Sequence, residues 1–206
     1  MSELPVGPWQ DLSADFCGPL PSGEYLLVIT DEYSRYPIVE IVPSVSSNKV
    51  IPVIDKVLSE MGVPRTIKTD NGSPFNSDAF RKFVRYCGFN HRKMTPRWPR
   101  ANSQAESFNK SVKTSYLEAK NWRKEMFRFL RQYRSTPHTS TGYTPFRLLF
   151  QREPRTRLPD IGTSKPETKI DEQIRQNDAR AKAKMKSNFE QKHNIREEEL
   201  QPGDKI

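Results

Sequence analysis

Cysteine and histidine are scarce in this chain. The two cysteines, Cys17 and Cys87, form no CxxC, and the three histidines, His91, His138 and His193, stand far apart. Such spacing suits neither a zinc knuckle nor a disulfide framework. No zinc is expected in this chain, and a reducing, intracellular setting fits. Long apolar runs are also missing: none approaches a membrane span, and the first residues show no secretory pattern. No membrane partner and no secretion are therefore expected. Apolar residues make up only 34 % of the 206. That is low for a chain packed throughout, so part of it is expected to be extended or exposed.

Charge is abundant and uneven. Residues 1–80 hold 5 Lys/Arg against 11 Asp/Glu, residues 81–157 hold 19 against 4, and residues 158–206 hold 10 of each. The surplus of +9 thus comes from the middle of the chain. A basic block beside an acidic one suits an enzyme acting on nucleic acid, with cations for phosphates and carboxylates for metal. It equally suits a merely solvated basic face.

Periodicity gives the order of elements. Residues 10–16, 25–30 and 36–42 read as strands, the last two joined as a hairpin by the polar turn "DEYSR". Val50, Ile51, Val53, Ile54, Val57, Leu58 and Met61 follow helical spacing, with Ser47 as N-cap and Gly62 as stop. "TIKT" is a fourth strand. A second helix follows, capped by Ser77, with Phe80, Phe83, Val84 and Cys87 on one face and Gly88 at its end. This makes Cys87 a core residue rather than a reactive one. "HRKMT" is a fifth strand, "PRWPRANS" a rigid basic loop, and a helix starts near Asn102 or Ser103. Another helix runs through Trp122, Met126, Phe129, Leu130 and Tyr133, to a stop at Pro137. Residues 171–199 are highly charged with few large apolar positions, as in a solvated helical linker.

This order implies a mixed five-stranded α/β sheet flanked by helices, with a crossover returning the fourth strand parallel to the first. That pairing would bring Asp15, in "DLSADF", close to Asp70, in "IKTDNGSPF". Asp70 in front of Asn71 and Gly72 has two readings. It is an ordinary turn or capping acid, or it is a metal ligand or catalytic acid at a strand's C-terminal end, where α/β sheets place their sites. A third acid, Glu106, follows after 35 intervening residues. Glu106, Lys110, Lys113 and Leu117 share one helical face beside the apolar stripe of Ala105, Phe108, Val112, Tyr116 and Ala119. By itself this is also the pattern of an i,i+4 Glu–Lys pair on a solvated helix.

"PWQDLSADFCGPL", "TDNGSPF" and "ESFNKSVK", in order and at this interval, resemble the catalytic core of retroviral and long-terminal-repeat retrotransposon (gypsy-like) integrases, with their D, D-35-E triad. "YRSTPHTSTGYTPFRLLFQREPR" looks like the segment closing that core, and "KSNFEQKHNIREEELQPGDKI" resembles the linker to a small β-barrel. The resemblance spans about residues 8–158. It implies a ribonuclease H-like core at 9–158, an N-terminal arm at 1–8, a charged helical linker at 159–199 and the cut start of a C-terminal barrel at 200–206. A zinc-binding His/Cys domain would precede residue 1. Ser107 stands where the family often has Arg, and Ser103 where the retrotransposon branch usually has Gly; neither is a metal ligand.

The resemblance also implies a function. Asp15, Asp70 and Glu106 would be the catalytic, metal-binding triad, holding two Mg²⁺ or Mn²⁺ ions for 3′-end processing and strand transfer of DNA. Lys110 and Lys113 would contact the donor DNA end, Asn109 and Gln104 would line the site, and Arg97 and Arg100 would guide DNA. Trp98 stacks on a base or packs on the core; Trp9, Trp122 and Tyr133 are expected in the core. Double-stranded DNA and further copies of the chain are the implied partners, and the nucleus, after synthesis in the cytoplasm, the implied location. Two other readings stand beside this one: a domesticated integrase core that binds DNA without catalysis, and a metal-dependent nuclease of ribonuclease H type.

Overall fold

The computed structural model describes residues 5–94, 121–138 and 140–155, together with positions 180, 183, 184 and 187, which are helical. The chain divides into two compact units, Met1–Arg157 and Leu158–Ile206, and the sheet lies in the first. Its strands are β1 (Asp11–Cys17), β2 (Tyr25–Asp31), β3 (Pro37–Val42), β4 (Thr66–Thr69) and β5 (Asn90–Lys93). They lie in the order β3-β2-β1-β4-β5. The first three form an antiparallel meander, while β1–β4 and β4–β5 are parallel. The mixed five-stranded sheet and the β1–β4 pairing are those expected from the sequence. Parallel neighbours cannot be joined by a tight turn, so α1 (Ser47–Met61) carries the chain from β3 to β4 and α2 (Asp78–Cys87) from β4 to β5.

Strand alternation sends side chains to two apolar layers. Leu12, Ala14, Leu27, Ile29 and Ile67 pack with Val50, Ile54, Val57 and Leu58 of α1 and with Phe80 and Phe83 of α2. Cys17, Leu26 and Val28 point to the opposite face, against Met126 and Leu130 of α3 (Trp122–Ser135). A sheet covered on both faces explains why β2 is buried almost throughout. Trp9 packs on the first layer, as does the partly buried Cys87; Trp122 and Tyr133 pack on the second. Burial, then the charge of Asp55, push the Cys87 thiol above its ordinary pKa, consistent with an unreactive packing role.

Three local details differ from the sequence reading. Ser46, not Ser47, occupies the N-cap of α1, and its side chain makes no capping bond. Ser47 is already helical, and its hydroxyl donates to Ser77 Oγ at 2.8 Å. Ser77 in turn accepts the Phe80 amide at 3.1 Å, so the two helix starts are stitched together. β5 begins one residue earlier than expected and ends at Lys93. A short further helix, α4 (Pro145–Phe150), starts from Thr144, whose side chain accepts the Arg147 amide.

Aromatic side chains fill the layer beneath β4 and α2. Phe75 and Phe80 are both fully buried, with ring centroids 5.3 Å apart in an edge-to-face arrangement. Phe80→Ala is expected to cost about 3–5 kcal/mol. Chemical denaturation should show the midpoint falling with an unchanged slope. A loss under about 1 kcal/mol would mean the layer closes over the cavity.

Candidate active site

The site starts from register. Asp11, Leu12, Ser13 and Ala14 of β1 pair with Thr66, Ile67, Lys68 and Thr69 of β4. Asp15 and Asp70 are the next residues along the two strands. Parallel neighbours lie about 4.8 Å apart, and alternation carries both positions to the face that α3 covers, since Asp15 opposes Val28 across β2. The register thus sets Asp15, two residues before the end of β1, level with Asp70, the residue that follows β4. Asp15 is half-buried and Asp70 exposed. Glu106, Lys110, Lys113, Asn109, Gln104, Arg97, Arg100 and Trp98 lie outside the described residues. Among the described residues no cluster of three or more His, Cys, Asp or Glu side chains is positioned to hold a metal.

Two features shape the carboxylate of Asp70. Its Oδ1 accepts the Gly72 amide at 3.1 Å, an Asx-type turn that orients the group without covering it. A Cβ at Gly72 would sit 3.1 Å from Asp70 Oδ2 and 3.3 Å from Oδ1, so glycine leaves the carboxylate its room. Asp15 Oδ1 accepts the amide of Phe16 at 2.8 Å. Lower on the same face, Lys68 Nζ meets Glu32 Oε2 at 2.6 Å in a largely buried pair.

Asp31 supplies a contrast. It is fully buried and accepts the Trp9 amide at 3.0 Å, the Ser34 amide at 2.9 Å and the Ser34 hydroxyl at 2.5 Å. Its carboxylate is satisfied by two donors of its own turn, from Ser34, and by the distant Trp9 amide, a structural role. Asp70, with the Gly72 amide and an open face, is free to take a ligand.

Sequence reasoning missed the surroundings of Asp70. Thr69 Oγ1 donates to the Asp70 carbonyl at 2.8 Å and lies 2.8 Å from His91 Nε2. The His91 ring stands edge-on to Phe80, centroids 5.0 Å apart. Asn71 Nδ2 donates to the Met94 carbonyl at 3.3 Å, and the Asn76 amide donates to the Asn71 carbonyl. The available signal was strand parity: Phe89, His91 and Lys93 alternate along β5, which turns His91 toward the aromatic layer.

The fold and the sequence both have known counterparts. Residues 6–99 match the family described as "Integrase core domain". An uncharacterized protein of Caenorhabditis elegans is 33 % identical over 160 residues, covering 75 % of this chain and 12 % of that protein. The Transposon Tf2-3 polyprotein of Schizosaccharomyces pombe is 27 % identical over 218 residues, covering 97 % of this chain and 16 % of the polyprotein. The chain therefore spans only a small part of these relatives. The HTLV-2 integrase catalytic core domain, a trimeric form in complex with magnesium, superposes with a TM-score of 0.58 at 20 % identity, covering 69 % of this chain and 97 % of that one. A chain of the simian T-cell lymphotropic virus intasome gives 0.60 at 20 % identity, covering 81 % of this chain and 62 % of that one.

Burial, then the positive charge of Lys93, hold the His91 imidazole below its ordinary pKa. The folded state thus prefers the neutral ring, while the unfolded chain takes up a proton near pH 6.5. The stability this group contributes is complete above about pH 6.5 and is lost as pH falls from there through the depressed folded value. Denaturation at pH 7.5 and at pH 5.5 is expected to show a larger loss for the parent than for His91→Gln. Equal losses would mean the ring titrates as in the unfolded chain.

Proposed function

Residues 6–99 carry an integrase core domain, and on that premise we propose that the chain is the core of a retroelement integrase that catalyses metal-dependent 3′-end processing and strand transfer of DNA. The observation that supports this reading is the β1–β4 register, in which Ala14 pairs with Thr69, the residues directly before Asp15 and Asp70. Two neighbouring carboxylates are a hard-oxygen donor set of the kind Mg²⁺ and Mn²⁺ take. The open face of Asp70 leaves room for water and phosphate. The chemistry of these residues fits such a metal: Asp15, Asp70 and Glu106 would be the side chains that hold it. When bound, the ions polarise the phosphate and raise the acidity of the attacking water or hydroxyl.

The chain's own residues then have separable tasks. Asp15 and Asp70, held by strand pairing, give the donor set a fixed separation. Gly72 keeps the Asp70 carboxylate uncrowded while its amide orients it. By the family resemblance, Lys110 and Lys113 would hold the phosphates of the donor end, Asn109 and Gln104 would line the site, and Arg97 and Arg100 would guide the duplex. Such contacts add affinity without choosing sequence. The names of the similar structures, an intasome and a trimeric magnesium complex, support DNA, magnesium and self-association here. Among the described residues no helix is long and apolar enough to cross a membrane. An integrase joining element ends to chromosomal DNA would work in the nucleus.

The test uses the full-length product that contains this chain, with DNA carrying matched ends and Mg²⁺ or Mn²⁺. Asp15→Asn, Asp70→Asn and Glu106→Gln preserve size and remove one negative ligand each. Each is expected to lower processing and joining more than about 100-fold, beyond the 10–100-fold typical of losing an outer-shell partner. Thermal midpoints should not fall, because like-charge repulsion is relieved. A parent that binds DNA but neither cleaves nor joins it would establish the domesticated binder. Cleavage without joining would establish a nuclease.

A further inference from the structure

We infer that Thr69 and His91 position the metal-binding carboxylate of Asp70, so that the edge strand β5 sets the direction of a ligand carried by β4. This rests on the proposal that Asp70 binds metal.

The argument begins with the single proton of the Thr69 hydroxyl. Thr69 is fully buried, and its Oγ1 donates to the Asp70 carbonyl at 2.8 Å. That donation uses the proton. The 2.8 Å contact with His91 Nε2 then requires the ring nitrogen to donate, which assigns His91 as the Nε2–H tautomer. The imidazole is itself held in place, edge-on to Phe80 at 5.0 Å and 6.5 Å from Phe75. A packed ring therefore orients a buried hydroxyl, and the hydroxyl orients the Asp70–Asn71 peptide plane.

That plane leads directly to the site. It sets the path to Gly72, whose amide holds Asp70 Oδ1. The residues on either side of Asp70 are tied to the same strand end: the Met94 amide donates to the Thr69 carbonyl at 2.8 Å, and Asn71 Nδ2 donates to the Met94 carbonyl at 3.3 Å. Asp70 itself is exposed, and its side chain is oriented by the Gly72 amide. A solvent-facing ligand can be precise only if its backbone is held from behind, and the polar partners behind a ligand are what hold it. Removing the hydroxyl would take from the Asp70 carbonyl and from the partly buried His91 ring the partner they share.

The experiment measures Mn²⁺ binding by the full chain, without DNA, from the electron paramagnetic resonance signal of free Mn²⁺. Thr69→Val keeps the shape and loses the hydroxyl; His91→Leu keeps apolar packing and loses the donor. Each is expected to weaken Mn²⁺ binding about 10–100-fold. Thr69→Ser and His91→Gln, which keep a hydroxyl and a side-chain N–H, should bind as the parent does. If Asp70→Asn abolishes binding while Thr69→Val and His91→Leu bind like the parent, the relay is wrong and the metal site stands. If Asp70→Asn binds as the parent does, the metal site is wrong and the relay has nothing to position. One readout needs neither a variant nor metal: the ¹⁵N shifts of His91 in the parent should report the Nε2–H tautomer, and an Nδ1–H ring would overturn the inference.

Discussion

Parallel pairing of β1 with β4 is the constraint on which the rest of the molecule depends. Asp15 and Asp70 are distant in sequence, and no local motif could hold them together. The pairing does so in register, with Ala14 opposite Thr69. A slip of one residue would turn every side chain of β4 to the other face, burying Lys68 in the aliphatic layer and setting Ile67 against the Glu32 carboxylate. The buried face of α1, Val50, Ile54, Val57 and Leu58, locks the crossover that makes the pairing possible. Hydrophobic burial on one side of the sheet thereby fixes polar geometry at its end.

That geometry is held against electrostatics. Two carboxylates on neighbouring strands repel each other, and a cation between them offsets that repulsion. The chain contains an example of the alternative. Asp31 is buried with three donors on its oxygens, and such a group has no need of a metal. Asp70 has the Gly72 amide and open space. That contrast between a fully satisfied aspartate and an exposed one supports the proposal that Asp70 takes an external cation.

Much of this was legible in the residues. Alternation in "EYLLVIT" and "YPIVEIV" marked the hairpin, and the i, i+4, i+7 spacing in α1 marked the crossover; together they implied the strand order and the meeting of Asp15 with Asp70. Other features were hidden because their cause is tertiary. "DEYSR" reads as a polar turn, and nothing local reveals that Asp31 is buried under the Trp9 amide. Arg134 sits in a helix rich in arginine and looks solvated, yet its guanidinium donates to the Pro37 carbonyl and lies 4.5 Å over the Tyr36 ring. Burial lowers its pKa accordingly. His91 has no metal spacing and invited no role; only the pairing of β4 with β5 brings it to Thr69. Ser46 and Ser47 differ by one residue as caps, and the choice was made by the reach of Ser47 to Ser77 on another helix.

The central claim is that β1 and β4 present one shared divalent-cation site. Anomalous diffraction from crystals of this chain soaked in Mn²⁺ tests it most directly. The account predicts a strong peak bounded by the carboxylates of Asp15 and Asp70, absent from crystals of Asp70→Asn. A Mn²⁺ peak elsewhere on the chain, with none between those two aspartates, would contradict it.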